Sequence, residues 1–149
     1  MSLRELASLV AAEPSMAAVL EVAKLGEPSS LDMTAPEALR PFVTAALSAP
    51  EPGVAKTVLV VTATAREADD VVAAAKDLVQ PDTVVDYPAW ETLPHERLSP
   101  RSDTVGRRLA VLRRLRHPDP TSLAHGPVSV IVAPVRSVLQ PQVKGLGDL

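Results

Sequence analysis

The chain has 149 residues, 46% of them hydrophobic, a net charge of −3 and no cysteine. That length suffices for one domain with a real core, and the apolar content excludes a disordered chain. The missing cysteines exclude disulfides, zinc–thiolate centres and thiol nucleophiles, and the net acidity excludes a polycation built throughout for nucleic acid.

Only 2% of the residues are aromatic, so the core must be made of Ala, Val and Leu. In "SLRELASLVAAE", Leu3, Leu6, Leu9 and Val10 recur at helical spacing behind Ser2 as a possible N-cap. A second helix follows in "PSMAAVLEVAKLG", with Met16, Val19, Leu20 and Val22 on its apolar side and Gly26 as its stop. Glu5, Glu13 and Glu21 interrupt this region, which therefore predicts no signal peptide. No apolar run is long enough to span a bilayer, so the expectation is a soluble protein without membrane partners.

The segment Ser30–Thr34 is expected to be a short strand, followed by a helix from about Pro36 to Ser48. "KTVLVVTA" is a β-branched run that predicts a strand buried on both faces. "TAREADDVVAAAKDLV" predicts an amphipathic helix with Ala68, Val71, Val72, Ala75, Leu78 and Val79 inward. "DTVVDYP" is a third strand; Ser99 and Pro100 then open a helix whose buried stripe is Val105, Leu109, Leu112 and Leu115. "VSVIVAPV" is a last buried strand, and "VRSVLQ" a short helix ending at Pro141. Alternating strands and helices imply a parallel sheet of about four strands with right-handed crossovers, preceded by helices. The expected division is a helical segment over 1–28, an α/β domain over 29–140, and the start of a further domain over 141–149.

Such a sheet invites a search for phosphate binding, which needs glycines and a lysine after a strand. The first junction here, "MTAPEALRP", offers Thr34, Pro36, Glu37, Arg40 and Pro41. The prolines lack an N–H, Glu37 places negative charge where phosphate would lie, and Arg40 alone cannot rebuild the cradle. "VLVVTA" and "VIVAPV" end without the carboxylates that hold a metal in nucleotide hydrolases. The histidines 95, 117 and 125 lack partners at catalytic or zinc-binding spacing, and His117 suits a helix C-terminus. The expectation is therefore no catalytic residue, no cofactor and no metal in this stretch.

Two features remain. "DYPAWETLPHERLSP" holds the only Tyr (Tyr87) and the only Trp (Trp90). Next to it, seven arginines (97, 101, 107, 108, 113, 114, 116) face one acid, Asp103. The bland reading of these arginines is a solvated helix face; the sharper one is a nucleic-acid interface using Arg97, Arg101, Arg107, Arg113 and Arg114.

The run "YPAWETLPHERLSPRSDTVGRRLAVLRRL", followed by "VIVAPVRSVLQ", resembles the N-terminal region of bacterial transcription-repair coupling factors. The resemblance rests on Tyr87, Pro88, Trp90, Glu91, Leu93, Pro94, Ser99, Pro100, Asp103, Arg108 and Leu109 in order, and covers about residues 57–140. It implies a P-loop-NTPase-like domain, similar to the first domain of the excinuclease component UvrB, whose nucleotide site has degenerated. It also implies a cytoplasmic protein whose later domains recruit UvrA, the damage-recognition component of the excinuclease, bind RNA polymerase and move on double-stranded DNA using ATP and magnesium. On this reading Tyr87 and Trp90 follow a central strand and cover one edge of the core, with the Trp N–H and Tyr O–H on polar partners. The alternatives are a nucleic-acid-binding module and an ATP-binding domain in its own right.

Overall fold

A computed structural model describes residues 3–26, 30–50, 53–92, 99–142 and 144–146. Two helices lead, α1 (Leu3–Ala12) and α2 (Pro14–Lys24), broken at Glu13, whose carboxylate accepts the Ser15 and Met16 amides as an N-cap. Gly26, at φ 71°, takes the left-handed position after α2 that a side chain would strain. Met16 and Leu20 bury as the spacing predicts, and they pack with Ala11 and Ala46. Ser2 lies outside the described residues, and Leu3 and Leu9 stay exposed.

Residues 30–36 form no strand, which corrects one expected element. Ser30–Thr34 alternates polar and apolar residues as a strand would, but no neighbouring strand pairs with it among the described residues, and Leu31 and Met33 stay exposed. A 3-10 turn over Glu37–Leu39 runs into α3 (Arg40–Ser48). The sheet is made of β1 (Val58–Thr62), β2 (Val84–Asp86) and β3 (Val130–Pro134). It is parallel, with order β1-β3-β2 and Val58 and Val84 both level with Val130. There are thus three strands among the described residues rather than about four, and the flanking helices agree with the expected α/β class.

The crossover helix α4 (Ala65–Leu78) is opened by Thr64, whose hydroxyl accepts the Glu67 amide at 3.1 Å while Glu67 reaches back to the Ala63 amide at 3.1 Å. Ala68, Val71 and Ala75 of α4 meet Val84, Val130 and Val132 on one face of the sheet, as the periodicity predicts. β3 is buried along its whole length, the signature of a central strand. β1 is not: Leu59 is 51% and Val61 48% exposed, because β1 lies at the sheet edge with cover on one face only. β2 is likewise an edge strand, so Tyr87 and Trp90 do not follow a central one. Helix α5 (Ser102–Arg116) packs Val111 against Val128 and Ile131 on the second face, and α6 (Val135–Leu139) closes the unit after β3.

Candidate functional site

The loop after β2 is held by three contacts that bring distant residues together. Arg108, 1% exposed, lies between two rings, its guanidinium carbon 4.1 Å from the centre of Tyr87 and 4.3 Å from that of Trp90. Its Nη1 donates to the Pro88 carbonyl, while Nε and Nη2 are buried without a partner among the described residues. A delocalised, weakly hydrated guanidinium is the cation best suited to such stacking. Burial lowers the pKa of Arg108 and raises that of Tyr87.

The second contact is Glu91, which accepts the Thr104 hydroxyl and, at 3.5 Å, the Arg101 amide. A carboxylate at the first turn of α5 does there what an N-cap side chain does, and the helix dipole favours its charge. This corrects the expected helix start. Ser99 and Pro100 precede the helix, and the N-cap position is Arg101, which makes no side-chain cap. The Thr104 hydroxyl, followed by the backbone N–H of Glu91 itself and that of Arg101, holds the Glu91 carboxyl below the usual carboxylate range. A depressed acid stabilises the fold above its unfolded pKa and ceases to as pH falls through its folded one. Thr104→Val is therefore expected to raise the Glu91 titration midpoint toward the ordinary value and to flatten the acid limb of the stability curve. Carboxyl-detected NMR titration with parallel denaturation measures both, and an unmoved midpoint contradicts the assignment.

Third, the Gln140 side chain clasps the backbone of Trp90. Its Oε1 accepts the Trp90 N–H at 2.7 Å and its Nε2 donates to the Trp90 carbonyl at 3.1 Å. Fifty residues separate the two, and nothing in the local sequence signals this contact. Gln140→Ala should cost about 1–2 kcal/mol by leaving two backbone groups unpaired. Chemical denaturation measures it, and a loss below a few tenths would mean that the clasp holds nothing.

The indole N–H and the Tyr87 hydroxyl have no hydrogen-bond partner among the described residues, contrary to expectation; the faces of the rings are what is used. Trp90 is half-buried. Leu93, Pro94 and Arg97 lie outside the described residues.

The arginine-rich helix is turned from its expected setting. Thr104, Arg108, Val111 and Arg114 form its buried stripe; Val105, Leu109 and Leu112 are half-buried at its flank, and Leu115 is exposed. Arg108 and Arg114 take the buried positions that the leucines were expected to fill. Arg114 is buried and donates to three carbonyls, Gly126 at 2.8 Å, Asp82 at 2.6 Å and Pro127 at 3.2 Å. Arg107 pairs with Asp86, and Arg101 with Asp103 at 3.2 Å. Arg113, exposed, also has a partner within the chain. His117 is the C-cap of this helix, as expected.

At the turn before α3, which was expected to follow a strand and does not, Arg40 pairs with Glu37 at 3.2 Å. The Leu39 amide is bonded to Pro36, the Arg40 amide to Glu37, and Pro41 has no N–H to offer. Thr34 lies in the irregular stretch before the turn. The adjoining cleft, about 270 Å³, sets Glu37, Glu67 and Asp70 against Arg40 alone. A second crevice of about 330 Å³ opens at the carboxyl end of the sheet, lined by Tyr87, Trp90, Asp69, Asp86, Arg107 and Arg136. Among the described residues no three histidine, aspartate or glutamate side chains gather as a metal site. No single helix there is long and apolar enough to cross a membrane.

No family model matches the chain. It is 50% identical over 122 residues to the "Transcription-repair-coupling factor" of Mycobacterium bovis, and equally to that of Mycobacterium tuberculosis. The match takes in 82% of this chain and 9% of each relative, in their N-terminal region, so the chain spans under a tenth of the length of the curated relatives it matches.

Proposed function

We propose that this chain is the non-catalytic N-terminal module of a transcription-repair coupling factor, a scaffold that acts through its shape and its neighbours in a longer polypeptide. The observation that carries the reading is the 50% identity over four-fifths of the chain. What supports a non-catalytic role is the turn before α3, where Arg40, the one cation lining its cleft among the described residues, is paired with Glu37 beside Glu67 and Asp70. A triphosphate needs net positive charge, and this cleft has three carboxylates to one guanidinium.

In this reading the whole protein is cytoplasmic, its later domains meet UvrA of the excinuclease and RNA polymerase, and an ATP- and magnesium-dependent motor moves on double-stranded DNA. This module itself holds neither cofactor nor metal. Tyr87, Pro88, Trp90, Glu91, Asp103, Arg108 and Leu109 act structurally: they fix the loop after β2 onto α5. The P-loop-NTPase-like ancestry is part of the same proposal and draws on the strand–helix alternation.

The test is titration of the 149-residue chain with Mg–ATP and with duplex DNA. Neither is expected to bind at micromolar concentrations, and no ATP hydrolysis is expected. Saturable ATP binding abolished by Arg40→Ala would overturn the scaffold reading. Binding to DNA that weakens by about one log unit per phosphate contact for each tenfold rise in salt would establish the nucleic-acid reading instead. Against that reading, Arg108 and Arg114 are committed inside the fold, and Arg101 and Arg107 are paired with acids.

A further inference from the structure

The two leading helices and the stretch that runs into α3 enclose an apolar cavity of about 530 Å³, larger than either crevice above. Leu9 and Val10 of α1, Met16 of α2, Met33 and Leu39 of the connecting stretch, and Phe42 of α3 line it. Its floor belongs to the core, since Met16 is buried, but its mouth is open: Leu9 is 60% and Met33 46% exposed. Sites that take an organic ligand or the anchor of a peptide have this size and this largely apolar lining. Among the described residues one charged side chain lines the cavity, that of Glu13. Its bonds from the Ser15 amide, the Ser15 hydroxyl and the Met16 amide all go to Oε2. Oε1 accepts nothing among the described residues and is open to a cation. Asp32, next to Met33, is exposed and makes no ion pair among the described residues.

We propose that this cavity receives an amphipathic helix of another protein, one whose apolar stripe is edged by a lysine or arginine. The apolar side chains enter between Leu9, Met33 and Phe42, and the cation meets Oε1 of Glu13. Charge complementarity selects a basic partner, because a carboxylate and no cation lines the cavity among the described residues. A helix suits the site better than a strand, since it bonds its own backbone. A strand needs backbone partners, and the extended stretch that could supply them is cut at Pro36, which has no N–H. The same carboxylates disfavour an anionic membrane surface. The partner is a separate protein and not a permanent cover, because a polar rim and adaptable methionines belong to surfaces that exchange their occupants. The inference goes beyond the scaffold reading by naming a contact, and it does not depend on that reading.

The methionines report on the site, because two of the chain's three, Met16 and Met33, line it. The 149-residue chain, labelled at its methionine methyls, is titrated with a helical peptide of leucine and lysine about four turns long, its leucines on one face. A peptide of the same composition, ordered so that it has no apolar stripe, is the control. The Met16 and Met33 signals should move saturably below about 100 µM of the amphipathic peptide and stay still with the control. Leu9→Glu changes an exposed position, so the unfolding midpoint should hold while affinity falls at least about tenfold. Glu13→Gln keeps an acceptor for the α2 cap and removes the charge; affinity should fall roughly threefold to tenfold and depend less on salt. Unmoved methyls, or equal shifts with both peptides, would overturn the proposal. Signals that move with the chain's own concentration before any peptide is added would overturn it too, by making a second copy the occupant. So would a full-length protein that no longer takes up the peptide, because a later segment of the same polypeptide would then fill the cavity.

Discussion

Replacing Arg114 with alanine is expected to lower the unfolding free energy by about 4 kcal/mol. Its guanidinium ties together three backbone carbonyls from two separate segments, Asp82 before β2 and Gly126 and Pro127 before β3. Those segments feed adjacent strands at the amino end of the sheet, so Arg114 sets where both strands begin. Alanine removes the donors but leaves the carbonyls in place, each losing about 1–3 kcal/mol where water cannot reach it. Arg114→Met should do little better, because it refills the space without restoring a donor. Arg114→Lys should recover part of the loss, since an ammonium on a flexible stem cannot span the fork that the guanidinium spans. For a domain of this size, a loss of about 4 kcal/mol corresponds to a fall of roughly 8–16 °C in the thermal midpoint. A loss below about 1 kcal/mol for the alanine variant would show that the carbonyls find other partners.

Arg108→Ala should cost a similar amount, about 3–5 kcal/mol, for a different reason. Here the side chain makes one hydrogen bond, to Pro88, and its main contacts are the two rings. Removing it opens a cavity the size of a large side chain and leaves Tyr87 and Trp90 without a surface to lie on. Arg108→Lys tests the planar stack: it keeps the charge and loses the flat contact, and should cost about 2 kcal/mol. Arg108→Met tests the charge. Two buried nitrogens of Arg108, Nε and Nη2, have no partner among the described residues, so an apolar replacement removes a desolvation penalty along with the cation–π attraction. Methionine should therefore be less harmful than alanine by at least about 2 kcal/mol. Trp90 is the only tryptophan, so its emission reports the site directly and should shift to the red in the alanine variant. If methionine were as damaging as alanine, the charge rather than the packing would hold the two rings in place.

The two arginines also explain why the sequence points toward nucleic acid when the fold points inward. A run of seven arginines announces positive charge, and counting it correctly needs no structure. What the count lacks is the rotation of α5 about its own axis. Leu109 and Leu112 make a plausible buried stripe on spacing alone; the observed stripe lies one residue earlier, through Thr104, Arg108 and Val111. The choice between them depends on what waits on the sheet: two rings and a Pro88 carbonyl for Arg108, and three carbonyls for Arg114. Those partners come from 12 to 32 residues away in sequence.

What the sequence determined by itself was the set of elements driven by local period and composition. The α4 face, the fully buried β3 and the two leading helices with their Gly26 stop all follow from residues within a turn or two of one another. Its motif around Trp90 also identified the relatives correctly. Only the tertiary structure decided which strands lie at the edges, that Ser30–Thr34 pairs with nothing described, that Glu91 serves as a cap for a helix ten residues on, and that Gln140 grips Trp90 from fifty residues away. Helical and strand periods are short-range consequences of backbone geometry. Edge position, helix rotation and long-range caps are set by which buried polar groups find partners, and those partners are chosen in space.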